Sequence, residues 1–348
     1  MKGERQSVDS SVVPSGRRVA IAVVAAVLLV VGVGLLIARA AGFAEVREAV
    51  ETADSTWFVA CLGAQVLALS AYADVVRGAF RWRGGPDPGF RLSGSVMLAG
   101  IGAARVFAAG GVGAIAAAFW CFRQAGFAAA DALVRVLGLN ALFYVPFGIG
   151  AWTASLVAVF GVWGEESLAL TLPWLVVVPV TFLGAAVLTE PRRFDRLTRA
   201  RGSVVRRALG YALAAAGWVR DVLTDRKGRR LVLASALYWV GNVACLWTAL
   251  RSVGETLPLP ELLLAFAAGH AAMILPLPLG GVGSVDAALT YALTAVGVPL
   301  APALVAVGVY RLFAFWAPTI PAIAALALLP RTGNRLRRLT PHSLIAQS

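Results

Sequence analysis

Residues 280–283 read Gly-Gly-Val-Gly, and the same four residues stand at 110–113, so one short motif occurs twice in the chain. With a one-residue gap, the likeness extends over residues 110–149 and 280–320. This pairing predicts an internal repeat. Apolar segments that glycine or proline interrupts at corresponding positions of two halves are typical of transporter-like membrane folds.

The composition is that of a membrane protein. The chain has 348 residues, is 59% hydrophobic and has a mean hydropathy of +0.79, with long apolar runs from end to end. Its net charge of +13 comes almost entirely from arginines in short segments between those runs. Such arginines set topology and meet anionic lipid headgroups, so the composition argues against nucleic-acid binding. Cys61, Cys121 and Cys245 lie in apolar segments without metal-ligand spacing, so we interpret them as small core residues and expect no metal or cofactor.

Hydropathy predicts both complete crossings and broken ones. Two apolar regions, 92–122 and 261–297, are interrupted by glycine or proline, which predicts re-entrant helical hairpins that turn back inside the membrane. The fold class is therefore an all-α polytopic membrane protein with about 6 full crossings and 2 hairpins, roughly 8 membrane segments. The predicted crossings are 19–39, 56–76, 132–161, 171–188, 231–250 and 302–329.

The distribution of arginine predicts the orientation. Basic residues cluster in the N-terminus, in 77–91, in 189–230 and in the tail after 330, which places these parts and both termini in the cytoplasm. The acidic segment around 40–55 and Glu165-Glu166 are then external. Charge parity makes the first hairpin enter from the cytoplasm and the second from outside, so the two halves have inverted topology. The same parity holds if both arms of each hairpin cross completely, and this alternative stays open.

The predicted organisation has five parts. They are a disordered cytoplasmic N-terminus (1–18), a first membrane half (19–188, with repeat 1 at about 56–162), a basic cytoplasmic loop (189–230), a second membrane half with repeat 2 (231–330) and a cytoplasmic tail (331–348). Within the basic loop, residues 203–223 mix apolar and basic positions. This pattern predicts either an interfacial amphipathic helix or a solvated linker helix.

Charged residues inside apolar segments are functional candidates, because burying a charge in a bilayer is expensive. Asp286 follows the second glycine motif and could either pair with Arg311 or bind a cationic group, while Arg105 lies in an otherwise apolar run. The alternatives are a helix-dipole charge for Asp286 and snorkelling for Arg311. Glycines there leave helix N-terminal N–H groups free for an anionic headgroup, and Tyr310 is either a cavity wall or a packing residue. The candidate headgroup-binding residues are Asp286, Arg311, Arg105, Gly280, Gly281, Gly283, Gly110, Gly111, Gly113, Tyr310 and His270.

Other polar residues have simpler interpretations. A lone histidine such as His270 is typical of a hydrogen-bonded core residue, although it lies on the first arm of the second hairpin. Asp131 and Arg135 are one turn apart and are expected to form a surface pair. Asn140 and Asn242 lie within predicted crossings, where we expect hydrogen bonds between helices.

The stretch 275–286, followed by Gly297 and by the Tyr310-Arg311 pair, resembles the lysylphosphatidylglycerol synthase transmembrane-region family, also described as the flippase-like domain. The resemblance covers about residues 20–330. It implies a role in moving or presenting a lipid-linked substrate across the bilayer. In the family's best-known members the substrate is an aminoacylated phospholipid, and a soluble aminoacyl-transferase domain follows the membrane region. This chain is expected to be a stand-alone membrane domain, since only residues 331–348 follow its last predicted crossing.

These observations predict an integral membrane flippase-like protein that translocates or presents a phospholipid or lipid-linked glycan across the plasma membrane. The expected ligands are an anionic phospholipid or a polyprenyl-linked substrate. We expect no enzymatic activity, since no carboxylate cluster or Asp/His pairing stands near the membrane surface in the sequence. The alternative is a non-catalytic scaffold that docks a glycosyltransferase or another envelope-biosynthesis enzyme through segment 189–230.

Overall fold

The described chain is all helical, and no strand occurs within the ranges that the structure covers. The computed structural model describes residues 42–107, 111–161, 168–189, 204–272 and 283–339, together with Gly32 and Arg39. In chain order the helices are α1 (Phe43–Glu51), α2 (Thr56–Arg81), α3 (Gly89–Val106), α4 (Val112–Gln124), α5 (Ala129–Phe160), α6 (Leu168–Leu188), α7 (Val204–Thr224), α8 (Arg229–Ser252), α9 (Leu259–Ala271), α10 (Ser284–Ala295), α11 (Leu300–Arg311), a π-helical segment (Leu312–Trp316), α12 (Ala317–Ala327) and α13 (Leu329–Arg337).

Hydropathy located the long membrane helices correctly within the described residues. Five helical stretches are long and apolar enough to cross a membrane, and each coincides with a predicted crossing, so those five predictions are confirmed. They are Thr56–Gly84, Ala129–Phe160, Ala169–Leu188, Arg226–Ser252 and Leu300–Ala327. The sixth predicted crossing, 19–39, lies outside the described residues except for Gly32 and Arg39.

The centre of the bundle is the long contact between α2 and α8. Small side chains let these helices approach closely, because a Cβ added at Gly241 would lie 2.7 Å from the carbonyl oxygen of Ala64 and 2.8 Å from Ala68 Cβ. Small residues at helix contacts are the usual means of packing inside a bilayer. Cys61 and Cys245 are fully buried in this part of the bundle, and their thiols are free, which confirms them as small core residues.

Two helix pairs flank this centre, and three of their four helices are short. Helix α3 packs on α4, where Gly113 faces the carbonyl of Ala103, and α9 packs on α10, where Gly269 faces Leu289. At 1.5 Å per residue, α4, α9 and α10 are about 18–20 Å long, which is shorter than a ~30 Å hydrocarbon core. These pairs occupy the two regions in which hairpins are predicted. Their re-entrant character and the inverted repeat remain predictions.

The helix expected at 203–223 is present as α7, and one of its sides packs against the protein. Its apolar side packs against α5, with Leu213, Trp218 and Val222 buried. Gly138 of α5 makes room for Trp218, since a Cβ at that glycine would lie 2.6 Å from the indole ring. The helix is therefore part of the bundle and not a fully solvated linker helix, while its position at the membrane interface stays a prediction.

Candidate functional site

The second glycine motif leads into helix α10. Gly280 and Gly281 lie outside the described residues, as does Gly110 of the first motif. Gly283 has φ +85° and stands at the N-cap of α10, where a left-handed backbone favours glycine. In the first motif, Gly111 precedes α4 with φ +26°. In both motifs, therefore, a glycine with positive φ stands directly before a short helix.

Asp286 joins the start of α10 to the end of α11. Its Oδ2 accepts a 2.9 Å hydrogen bond from the backbone N–H of Gly283, which caps the helix. Its Oδ1 forms an ion pair with Arg311 Nε. The contact is an ion pair without a well-aligned hydrogen bond, since Oδ1 has no hydrogen-bond donor in the described chain. The pairing predicted from the sequence is confirmed, and the helix-capping alternative holds at the same time.

The ion pair is buried. The side chain of Arg311 is 12% exposed and that of Asp286 is 14% exposed. Arg311 therefore does not snorkel to an aqueous surface. Neutralising each charge with the other lowers the cost of burying both, although desolvation still opposes the pair.

A second arginine reaches the same place from the other half of the chain. The guanidinium carbon of Arg105, in the last turn of α3, lies 3.6 Å from the ring centroid of Phe315. The guanidinium carbon of Arg311 lies 4.4 Å from the same centroid. A cation over an aromatic face is stabilised by the ring quadrupole. Phe315 is 3% exposed, so this stacking takes place inside the bundle.

The π-helical segment after Arg311 supplies the shared ring. Residues 312–316 take π geometry between α11 and α12, and Phe315 is the buried member of that segment. Short π segments are frequent at functional sites. Arg105 comes near this ring because α3 packs along α12, where Gly102 lies against the carbonyl of Ala322. We call Arg105, Asp286, Arg311 and Phe315 the arginine pair site.

The site contains more positive than negative charge. Two guanidinium groups face one carboxylate, which leaves a formal charge of +1 among these side chains. Arg105 Nε and Arg311 Nη2 are buried and have no hydrogen-bond partner within the described ranges. A buried donor without an acceptor costs about 1–3 kcal/mol, and more when the group is charged. The arrangement therefore suits an anionic group that accepts hydrogen bonds.

The family model described as the lysylphosphatidylglycerol synthase TM region matches residues 20–322, which is most of the chain. The chain belongs to this family. A comparison with curated proteins finds no match to the chain. The matched region contains every residue of the arginine pair site.

Tyr310 of this family member packs in the core. It is 3% exposed and lies in an apolar cluster with residues of α8, α9 and α10. Its ring stands edge-on to Phe266, with 6.2 Å between centroids. Of the two interpretations of Tyr310, its contacts support the packing residue. Arg311 is the next residue in the chain.

His270 has the contacts of a core residue. Its Nδ1 lies 3.1 Å from the carbonyl oxygen of Phe266, one turn earlier in α9. Its ring also lies 4.0 Å from the Phe266 ring and 5.5 Å from the Trp239 ring, measured between centroids. The hydrogen-bonded core interpretation is confirmed. Its role in headgroup binding stays a prediction.

An apolar groove adjoins this aromatic cluster. It has a volume of about 510 Å³ and is walled by α5, α8 and α9, with Phe147, Trp239 and Phe266 among its lining residues. Phe266 also contacts Tyr310. One side chain thus connects the groove to the helix that carries Arg311.

Arg135 has a structural role that the sequence did not reveal. The predicted ion pair with Asp131 is confirmed at 3.0 Å, but the surface setting expected for both residues holds only for Asp131, which is 46% exposed, whereas Arg135 is 7% exposed. Its guanidinium also donates to the carbonyl oxygens of Ala79 and Trp82 at the end of α2. These bonds between sequence-distant residues explain why it is buried, and they tie α5 to α2.

The two asparagines bond within their own helices. The amide nitrogen of Asn140 donates to the carbonyl of Val136, and that of Asn242 donates to the carbonyl of Tyr238, each at 2.8 Å. The expectation that these amides donate between helices was wrong. An amide in an apolar helix satisfies its donor most easily with the carbonyl four residues earlier, because that acceptor is always within reach.

Proposed function

We propose that this membrane protein binds the anionic headgroup of a phospholipid or lipid-linked glycan at the arginine pair site and translocates or presents that lipid across the plasma membrane. The observation that carries the proposal is the buried excess positive charge of Arg105 and Arg311 on one ring, next to a single carboxylate. A phosphate group matches the fork of a guanidinium and neutralises the excess charge.

Electrostatics explains why such a site favours a lipid phosphate. Burial removes the water that would solvate both arginines, so a phosphate there interacts in a medium of low dielectric constant. The buried N–H groups of Arg105 and Arg311 give it hydrogen-bond donors that the described protein leaves unused. Asp286 lowers the net charge to +1, which keeps the interaction weak enough for release.

The lipid tail has an adjoining place. The groove between α5, α8 and α9 is lined by apolar side chains, among them Phe266, whose ring contacts Tyr310, the residue before Arg311 in α11. A hydrocarbon chain in that groove would remain in an apolar environment while its headgroup lies at the arginine pair site. Keeping the tail in an apolar environment while only the headgroup crosses avoids the cost of exposing hydrocarbon to water.

We also propose that the α3–α4 and α9–α10 pairs are re-entrant hairpins of an inverted repeat, with both chain termini in the cytoplasm. The short lengths of α4, α9 and α10 support this arrangement. So does the glycine at each pair's closest contact, Gly113 in one and Gly269 in the other. Arg105 ends the first arm of one pair, and Asp286 begins the second arm of the other, so the site joins the two halves.

The test is lipid transport in reconstituted vesicles. Purified protein is inserted into vesicles that contain labelled anionic phospholipids, zwitterionic phospholipids or polyprenyl phosphates, and the rate of label movement between leaflets is measured. Arg105→Gln should slow movement of the anionic substrate about 10- to 100-fold, because it removes a charge-assisted interaction of about 1.5–3 kcal/mol.

The matched control is Arg251→Gln. Arg251 also lies over aromatic rings, at 5.4 Å from Trp57 and 5.6 Å from Trp247, but it is not part of the site. This variant should transport at the wild-type rate. Equal rates for Arg105→Gln and wild type would contradict the proposal. Absence of transport by the wild type, together with a co-purifying envelope enzyme, would favour the scaffold alternative.

A further inference from the structure

A second groove lies on the opposite face of α5 from the one described above. It is formed by α5, α6 and α7 and has a volume of about 330 Å³. Its walls are almost entirely apolar, with Tyr144 and Phe182 at one end and Arg220 at the other. It shares no residue with the arginine pair site.

The groove exists because many of its lining side chains are small and because helix α6 makes little contact with α7. Helix α6 packs mainly on α5 and has only a minor contact with α7. Between them the lining side chains include Ala141, Ala185 and Ala216, which leave the space open. Interiors are otherwise close-packed, so an apolar space of this size between helices suits a hydrocarbon occupant.

The length of the groove matches one leaflet. On α6 the lining runs from Thr181 to Thr189, which at 1.5 Å per residue is about 12 Å. Half of a ~30 Å hydrocarbon core is about 15 Å. The α6 side of the groove is therefore long enough to cover an acyl chain over most of one leaflet. An acyl chain of the leaflet next to Arg220 fits this extent.

Arg220 holds a positive charge at the open end. Its Nη1 donates a 2.8 Å hydrogen bond to the carbonyl oxygen of Thr189, at the end of α6. Its Nη2 lies 3.9 Å from Asp221, whose carboxylate is already bonded to Arg83 at 2.6 Å. Two arginines thus share one carboxylate, and these three described side chains have a summed formal charge of +1. The Arg220 side chain is 45% exposed, so it remains accessible to a headgroup.

We propose that this groove binds one anionic phospholipid from the basic side of the membrane, with an acyl chain between α6 and α7 and its phosphate on Arg220. Charge complementarity selects an anionic lipid over a zwitterionic one, since Arg83, Arg220 and Asp221 together have one positive charge in excess among the described side chains. The lipid fills the gap that α6 leaves and so holds α6 and α7 on α5. This site is separate from the transported substrate and does not depend on the proposed function.

Native mass spectrometry tests the headgroup preference. Delipidated full-length protein is incubated with equal amounts of phosphatidylglycerol and phosphatidylcholine, and the ratio of the two bound lipids is measured. Wild type should retain phosphatidylglycerol preferentially. Arg220→Gln should lower that ratio about tenfold, because it removes a charge-assisted contact.

Two further variants complete the test. Arg251→Gln, which changes the same residue type elsewhere, should leave the ratio unchanged. Ala141→Phe fills the groove from an exposed position of α5 and should reduce the retention of both lipids. Equal ratios for Arg220→Gln and Arg251→Gln would overturn the headgroup assignment. Unchanged lipid retention in a folded Ala141→Phe protein would overturn the chain assignment.

Discussion

Arg105 and Arg311 come from opposite halves of the chain and lie against one aromatic ring, with their guanidinium carbons 3.6 and 4.4 Å from the centroid of Phe315. Only one of them has a carboxylate partner among the described residues, since Asp286 pairs with Arg311. A site that brings two cations together at this depth requires a compensating anion to be stable. Arg105 is therefore the arginine for which the proposed headgroup would supply the missing anion.

Removing the carboxylate should destabilise the protein. Asp286→Asn leaves Arg311 buried without its counterion and weakens the cap on Gly283, so the free energy of unfolding should fall by about 3–5 kcal/mol. The double variant Asp286→Asn/Arg311→Gln should recover part of that loss, because no unpaired charge remains. Thermal unfolding in detergent of both single variants and the double variant measures the coupling. A double variant that is as unstable as the sum of the single variants would show that the pair contributes nothing.

The shared ring should matter to binding. Phe315→Leu keeps an apolar side chain but removes the aromatic face, so each arginine should lose about 0.5–2 kcal/mol of cation–π stabilisation. Lipid binding should weaken several-fold. Phe315→Tyr preserves the ring face and serves as the control, with affinity close to wild type. Calorimetric titration with an anionic lipid compares the two variants, and equal affinity for both would remove the ring from the site.

Packing of α7 on α5 should depend on Gly138. A Cβ at this position would lie 2.6 Å from Trp218, so Gly138→Ala should lower the free energy of unfolding by about 1–3 kcal/mol through overpacking. Gly150→Ala on the same helix is the matched control, because nothing lies within 4 Å of the added Cβ. Thermal melts should separate the two variants. A melting temperature for Gly138→Ala at or above that of Gly150→Ala would contradict the close contact.

Acid should weaken the connection between α2 and α3. The guanidinium of Arg77 donates two 2.7 Å hydrogen bonds to Asp87, and with the N–H of Gly89 it lowers the pKa of that carboxyl from 3.8 to about 2. A lowered pKa in the folded protein means that this stabilisation is complete above pH ~4 and is lost as the pH falls towards ~2.

Stability measured against pH checks this assignment. Wild type should lose stability between pH ~4 and ~2 more steeply than Asp87→Asn, which has no carboxyl to protonate. Glu51→Gln removes a carboxylate from an exposed pair with Arg47 and should follow the wild-type profile. Superimposable profiles for wild type and Asp87→Asn would show that the Arg77 contact does not stabilise the fold.

Cysteine labelling can measure how far the turn between α3 and α4 reaches across the membrane. Val112 begins α4 and is 60% exposed, so a cysteine there reports whether the turn between α3 and α4 reaches water. A re-entrant hairpin predicts no reaction with a membrane-impermeant thiol reagent from the external side. The native cysteines 61, 121 and 245 are buried and give little background. Rapid external labelling of Val112→Cys would show instead that the arms cross completely.

The sequence predicted the features that depend on local hydropathy and on the cost of placing a charge in a bilayer. Long apolar runs located five crossings, and the rarity of intramembrane charges selected Asp286 and Arg311 as partners. It missed Phe315, because one aromatic residue in an apolar run does not stand out in the sequence. The spacing of four residues after Arg311 was the available signal. The π geometry that presents this ring depends on packing between distant helices.

Features that depend on contacts between distant segments of the chain could not be predicted from the sequence. The burial of Arg135 depends on the carbonyls of Ala79 and Trp82, which lie more than fifty positions earlier and carry no sequence pattern of their own. The setting of α7 depends on Gly138, whose role becomes clear only when Trp218 is seen against it. An amphipathic pattern states which face is apolar but not which surface covers it.

The most direct test of the central claim is the affinity of the arginine pair site for an anionic headgroup. Binding of a short-chain anionic phospholipid is measured by calorimetry on detergent-solubilised protein that carries Arg220→Gln, so that the second groove does not contribute its charge. In this background, adding Arg105→Gln should weaken binding about tenfold or more, while adding Arg251→Gln should change nothing. Equal affinity in both variants would contradict the assignment of Arg105 and Arg311 as the headgroup site.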